Sequence, residues 1–476
     1  MGQPQPTNRT PQPDRGRIPA SFRDPSGFVY ERDGRLLRQI NDSFAERWSA
    51  FEQSALRREL TGDRLLIEHQ PAPLELAWDE HAAAVIEPER VELITYPWEW
   101  SFSQLRDAAL LTLEAQERAA AAGFTLRDAS AFNVQFLRGK PILIDSLSFE
   151  PATPEEPWLP YREFCEQFVA PLALMAYRDA RLGLLMRPMP SGIPLDLASA
   201  LLPARTRLST GISAHIHLHA RAQQRPISLE SATRARAPRV SSLGRRALVD
   251  HLRRTVEGMR KPRTSTPWAS YETTSTYSPA AADAKLRLVG ELLQQTPGRW
   301  VWDVGANRGW FSLRAAELGR QVVALDSDAG AVDMFYRQLQ SAGDERVLPL
   351  VMDIANPTPG VGWALEDYRS LIDRCNADVI LALALIHHLA IGRNIPLDRI
   401  SALFARLGEW LIIEWVPKTD PMVAAMLAHR EDVFGGYDEA AFKQAFESDF
   451  SFERSEPIPD SDRVLHLLRR RRSLTH

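Results

Sequence analysis

The chain contains very little cysteine and very little lysine. Cys165 and Cys375 are the only thiols in 476 residues, too few and too far apart for a disulfide framework or a cysteine-rich zinc site, and they point to a reducing compartment. Five lysines, Lys140, Lys261, Lys285, Lys418 and Lys443, stand against 52 arginines, a bias that reads as genome base composition. No run of about 18 consecutive apolar residues occurs, and Met1-Gly2-Gln3-Pro4-Gln5-Pro6 has neither an apolar signal core nor the Ser/Thr of a myristoylation motif. A soluble, cytoplasmic chain without membrane insertion is therefore expected. A large excess of one charge is also missing, and the net charge of −4 exerts no general pull on nucleic acid.

What is present is globular. With 44% hydrophobic and 25% charged residues the chain is not disordered throughout, and its length exceeds what one core can serve. The composition shifts predict a disordered tail over 1–22, rich in Pro, Gln, Arg and Gly, and then an α+β domain over 23–190. An Arg-rich helical connector over 191–265 and an α/β domain over 266–476 complete the layout, with a soft boundary at the Pro188–Pro194 break. Between Arg221 and Arg263 there are twelve basic residues, three acidic ones and no aromatics, which favours a solvated connector over an RNA- or anion-binding patch.

The carboxyl-terminal region alternates strand and helix signals, the pattern of a parallel sheet covered by helices. Strands are predicted at 300–304, 321–325, 346–351, 377–384 and 410–415, followed by an antiparallel pair at 450–454 and 463–468. Trp300-Val301-Trp302-Asp303-Val304-Gly305-Ala306-Asn307-Arg308-Gly309 is an apolar strand running into a glycine-containing turn, where a backbone without side chains lets a ligand approach closely. Asp326 ends the second strand, where a carboxylate can accept both hydroxyls of a ribose, and Asp353 ends the third, followed by apolar Ile354. The turn Gly-Ala-Asn-Arg-Gly is not Gly-x-Gly-x-x-Gly, so the pyrophosphate cradle of an NAD dehydrogenase is missing.

This run resembles motif I of class I methyltransferases, with Asn307 at the middle glycine. The resemblance implies a Rossmann-like seven-stranded sheet and S-adenosyl-L-methionine as cofactor. It places Asp303, Gly305, Asn307 and Gly309 around the amino-acid end of that cofactor, Asp326 on the ribose, and Asp353 with Ile354 on the adenine. After the fourth strand, Ile386-His387-His388-Leu389 resembles the His-His-Leu of many small-molecule methyltransferases of this class. One histidine, the two not separable from sequence, is expected to act as a base or to contact substrate. Glu414-Trp415-Val416-Pro417-Lys418-Thr419-Asp420-Pro421-Met422 resembles a bacterial subgroup related to the nodulation protein NoeA. Glu414, Lys418 and Asp420 are expected to line the acceptor pocket, and aromatics at Trp268, Tyr271 and Tyr277 to lid the cofactor or to pack the first helix.

The resemblance implies methyl transfer to an unidentified acceptor by in-line attack on the sulfonium methyl. The Asn/Asp-Pro-Pro-aromatic motif of adenine and glutamine amino-group enzymes is missing, and a small molecule, glycan or lipid is expected ahead of nucleic acid. A non-catalytic cofactor-binding scaffold is the alternative from another class.

In the amino-terminal half, Arg127-Asp128 with Asn133 five residues after the aspartate, and then Asp145, resemble the catalytic-loop and Asp-Phe-Gly elements of kinase-like folds. Residues 1–139 contain no lysine, so Arg38 is the stand-in for the phosphate-pairing strand lysine. Three readings stay open: a kinase-like module without phosphotransfer, an active kinase in which Asn133 and Asp145 would hold Mg²⁺, and an unrelated fold. Outside that second reading no metal is expected.

Overall fold

The computed structural model describes residues 16–223, 239–260, 278–428 and 432–471. Asp33 and Gly34, both at positive φ (53° and 76°), form the tight turn between β1 (Gly27–Arg32) and β2 (Arg35–Asn41), as the Asp-Gly pair predicts. With β3 (His69–Ala72) and β4 (Ala82–Pro88) these make an antiparallel sheet of order β1-β2-β4-β3. Order begins earlier than the composition suggested. The Ile18 N–H donates to the Val29 carbonyl at 2.8 Å, and the Arg17 guanidinium lies 3.7 Å from the Phe28 ring centroid, so residues 16–22 pack along β1 instead of belonging to a tail. Positions 1–15, and the aromatics Trp268, Tyr271 and Tyr277, lie outside the described residues.

Ser101 opens the long helix Phe102–Ala121 with a capping box closed by Gln104, and Gly123 at φ 81° follows its end. Its apolar face buries Leu105, Ala108, Leu113 and Ala115. Two short antiparallel pairs follow, β5 (Phe124–Leu126) with β8 (Phe149–Pro151) and β6 (Val134–Leu137) with β7 (Lys140–Leu143). The helical stretch from Tyr161 to Tyr177 contains a π-helical turn at Cys165–Val169. Pro171, which has no N–H for the carbonyl one turn back, sits just beyond it. The described part of the Arg-rich stretch is helical: Ser242–Gly258 lies against Phe102–Ala121, burying Val249, Leu252 and Val256 while Arg253 pairs with Glu117 at 2.8 Å.

The carboxyl-terminal strands are β9 (Trp300–Val304), β10 (Gln321–Asp326), β11 (Val347–Val351), β12 (Ala377–Ala382), β13 (Gly408–Trp415), β14 (Phe450–Pro457) and β15 (Val464–Arg470). They form one sheet of order β11-β10-β9-β12-β13-β15-β14. The first five are parallel, and β15 runs antiparallel to both β13 and β14. This is the Rossmann-like seven-stranded sheet that the resemblance implied, with the parallel strands and terminal antiparallel pair that the alternation predicted. Chain order reverses between β9 and β12, the kind of switch point at whose carboxyl ends open α/β sheets bind their ligands.

The two halves share one hydrophobic cluster, and the helix Phe102–Ala121 starts against the sheet's outer strand. Gln104 Nε2 donates to the Pro349 carbonyl on β11 at 3.0 Å, and the Ser103 N–H donates to Asp333 at 2.7 Å. Tyr336 donates to Asp107 at 2.9 Å. Proline is tolerated at 349 because β11 is an edge strand, and the amino-terminal half covers that edge.

Candidate active site

The turn after β9 holds three residues at positive φ: Gly305 (82°), Asn307 (50°) and Gly309 (78°). Gly305 and Ala306 donate N–H bonds to the Leu325 carbonyl at 2.8 and 3.0 Å, which docks the turn on β10. A Cβ on Gly309 would lie 2.0 Å from the Phe335 ring, so only glycine fits there. Asp326 accepts the Asn307 N–H at 2.7 Å and the Asp328 N–H at 2.8 Å; it fixes the turn, and burial raises its pKa. Asp303 lies deeper, holding the Ser312 hydroxyl at 2.7 Å, and burial pushes its carboxyl up to about 6. Asp353 accepts the Ala355 N–H at 3.0 Å through one oxygen and pairs with Arg393 at 2.7 Å through the other, while Ile354 is buried beside it. The residues predicted for a cofactor thus occupy the carboxyl ends of three adjacent strands, β9, β10 and β11.

The acceptor-side candidates separate. His387 is 2% exposed with its ring 4.1 Å from that of His388. Burial, and then the neighbouring His388 and Arg463, push its pKa down to about 3, so it is neutral at working pH and a weak base. His388 is half-buried, and burial lowers its pKa too.

Glu414 does not line an open pocket. It is fully buried, paired with Lys285 at 2.6 Å and Arg463 at 3.2 Å, and it accepts the Ala384 N–H at 2.7 Å. Asp420 belongs to the same network through Arg463 at 2.7 Å, whereas Lys418 lies nearer the surface, paired with Asp432 at 2.9 Å. A carboxylate at a strand end was therefore misread as an acceptor contact; its role is to hold Ala384, at φ 50°, in the turn that leads to His387. Lys285 and Arg463 were missed. One available signal was a lysine on the helix Pro279–Gln294 in a chain that has only five.

In the amino-terminal half the structure brings Asp128, Asn133 and Asp145 together. Arg38 pairs with Asp145 at 2.7 Å, and Asn133 Nδ2 donates to the Ser148 hydroxyl at 3.3 Å. Burial, and then the charge of Asp145, push the Asp128 carboxyl up to about 7. Arg127 donates to Ser26 at 2.6 Å and Asp24 at 2.9 Å.

No family model matches the chain. The nodulation protein NoeA of Rhizobium meliloti (strain 1021) is 35% identical over 468 residues, which cover 96% of this chain and 97% of that one. The chain belongs to the NoeA family. Solved structures similar to this NoeA-family chain include the bifunctional kinase-methyltransferase WbdD, at 16% identity and a TM-score of 0.31 over 44% of each chain. Magnesium protoporphyrin IX methyltransferase from Synechocystis PCC 6803 with bound SAH is similar at 17% identity and a TM-score of 0.31, over 44% of this chain and 95% of that one.

Proposed function

We propose that this NoeA-family chain transfers a methyl group from S-adenosyl-L-methionine to an acceptor in the cytoplasm, with residues 266–476 as the catalytic half and 23–190 as an accessory half. The observation that carries the reading is the set of three carboxylates, Asp303, Asp326 and Asp353, at the ends of β9, β10 and β11 around a turn with three positive-φ residues. These residues fit the cofactor: Asp326 is a partly exposed acceptor for ribose hydroxyls, Asp353 an acceptor for the adenine amino group, and Ile354 an apolar face for the ring.

When bound, the cofactor supplies a methyl group on a sulfonium, open to in-line attack. The chain's own contribution is positioning and exclusion of water, with His388 better placed than buried His387 to meet an acceptor. Glu414 and Lys285 hold the turn beneath these histidines. A net charge of −4 and the missing Pro-Pro-aromatic motif favour a small molecule, glycan or lipid as acceptor. Among the described residues no helix is long and apolar enough to cross a membrane.

The convergence of Asp128, Asn133 and Asp145 favours a second reading, a kinase-like phosphotransferase. The Arg38–Asp145 pair argues against it, since Arg38 neutralises the carboxylate that would hold Mg²⁺. Isothermal titration of S-adenosylmethionine, and separately of ATP with Mg²⁺, into the full chain tests both. Binding of the methyl donor alone supports the proposal, binding of both makes a two-activity enzyme, and heat from neither overturns it.

A further inference from the structure

The loop that follows Asp353 is held by the amino-terminal half. Thr358, five residues on and almost fully buried, donates its hydroxyl to Glu99 at 2.6 Å and accepts the Trp98 indole N–H at 3.3 Å; its oxygen also lies 3.8 Å from the Met352 sulfur. Glu99 is fully buried: it also pairs with Arg374, and its second oxygen accepts the Tyr96 N–H at 3.1 Å. Arg374 in turn donates to the Ile94 carbonyl at 2.7 Å. Around this polar knot Trp98 packs edge-on to Tyr368 at 5.7 Å, and Phe132, next to Asn133, stacks on Tyr368 at 4.5 Å.

The same half grips the neighbouring elements. Asp333 and Tyr336, bound by Ser103 and Asp107, lie on the helix Ala329–Ala342 that follows Asp326, and Gln104 holds β11 itself. Both strand ends assigned to the nucleoside are thus braced by residues from outside the sheet.

We infer that Glu99 and Thr358 are positioning residues for the adenine end of the cofactor, so that the amino-terminal half completes a site whose contacting residues all lie in the carboxyl-terminal half. This rests on the proposed cofactor site. Thr358 sets the geometry of the Met352-Asp353-Ile354 turn, and a carboxylate held in register accepts the 6-amino group of adenine but meets only an oxygen in hypoxanthine.

The test is titration of the full chain with S-adenosylhomocysteine and with its inosine counterpart, comparing wild type, Thr358→Val and Thr358→Ser. Valine removes the hydroxyl with its bonds to Glu99 and Trp98 and its contact with the Met352 sulfur, and melting curves verify folding, with Thr358→Ala standing in should valine disturb packing. The valine variant is expected to bind the adenine compound roughly three- to tenfold more weakly. It should also show a narrowed adenine-over-hypoxanthine preference, with serine restoring both. A folded variant that keeps wild-type affinity and preference overturns the inference alone. Wild type that binds neither compound overturns the proposed function and this inference with it.

Discussion

Lys285 and Glu414 meet at 2.6 Å with almost no solvent on either side chain. Burial lowers the lysine pKa, and the Glu414 charge opposes that shift. Removing the lysine leaves the buried Glu414 charge to Arg463 alone at 3.2 Å, so Lys285→Met should cost on the order of 3 kcal/mol. The double variant Lys285→Met/Glu414→Leu should recover part of that, because no carboxylate is left without its lysine, although Arg463 keeps only Asp420 and the Ala384 N–H loses its acceptor. Thermal unfolding of the three proteins decides it; equal midpoints for the wild type and the single variant would show that the pair does not hold this part of the sheet.

Asp326 offers a different readout, ligand affinity, with a melting curve to separate it from loss of the turn that Asp326 fixes. Asp326→Ala removes the acceptor proposed for the ribose and also frees the Asn307 and Asp328 N–H groups. Binding of S-adenosylmethionine should weaken by roughly ten- to a hundredfold. A calorimetric titration giving wild-type affinity would count against the site.

Gly309 is constrained twice, by a φ of 78° and by the Phe335 ring. Gly309→Ala should therefore destabilise by more than about 2 kcal/mol and reduce cofactor binding together with stability. Gly319, also at positive φ (84°) but with open space at its Cβ position, provides the control. Gly319→Ala should lower the melting midpoint clearly less than Gly309→Ala.

Acid sensitivity should come partly from His215. Its ring is 2% exposed, bound to Tyr161 at 2.8 Å and His251 at 2.9 Å, and burial followed by His251 and His219 pushes its pKa down to about 4. The folded chain binds fewer protons here than the unfolded chain between about pH 4 and 6.5. The stability this group contributes is complete above 6.5 and lost as pH falls toward 4, by about 3 kcal/mol at most. Asp128 and Asp303, whose pKa values are raised, pull the other way over much of the same range. The informative quantity is therefore the difference between wild type and His215→Gln, whose melting midpoint should fall less between pH 7 and pH 5. Parallel pH profiles would remove His215 from the account.

Legibility differed between the halves for physical reasons. The strands of the α/β sheet are continuous apolar runs, three of them ending in acids, so their positions and the carboxylates at their ends could be read locally. The kinase-like set was legible as spacing, since Asp128, Asn133 and Asp145 sit on short connected elements, and Arg38 could be named as a substitute for lysine. Its pairing with Asp145 could not be read, because it joins residues 107 positions apart. The acceptor side was misread where burial mattered: Glu414 looks like a pocket carboxylate until Lys285 and Arg463 are seen to enclose it. The contacts of Glu99 with Thr358 and Arg374 are longer-range still, and Glu99 carries no motif that would flag it.

Pro349 and Gln104 bear on how the chain is made. An uncovered edge strand is a template for pairing with other chains, and here the element that covers it is encoded about 240 residues earlier. Synthesis delivers the amino-terminal half first, so the cap is already outside the ribosome when β11 emerges. Expressed alone, residues 266–476 would arrive without that cap, and their expected fate is self-association through β11.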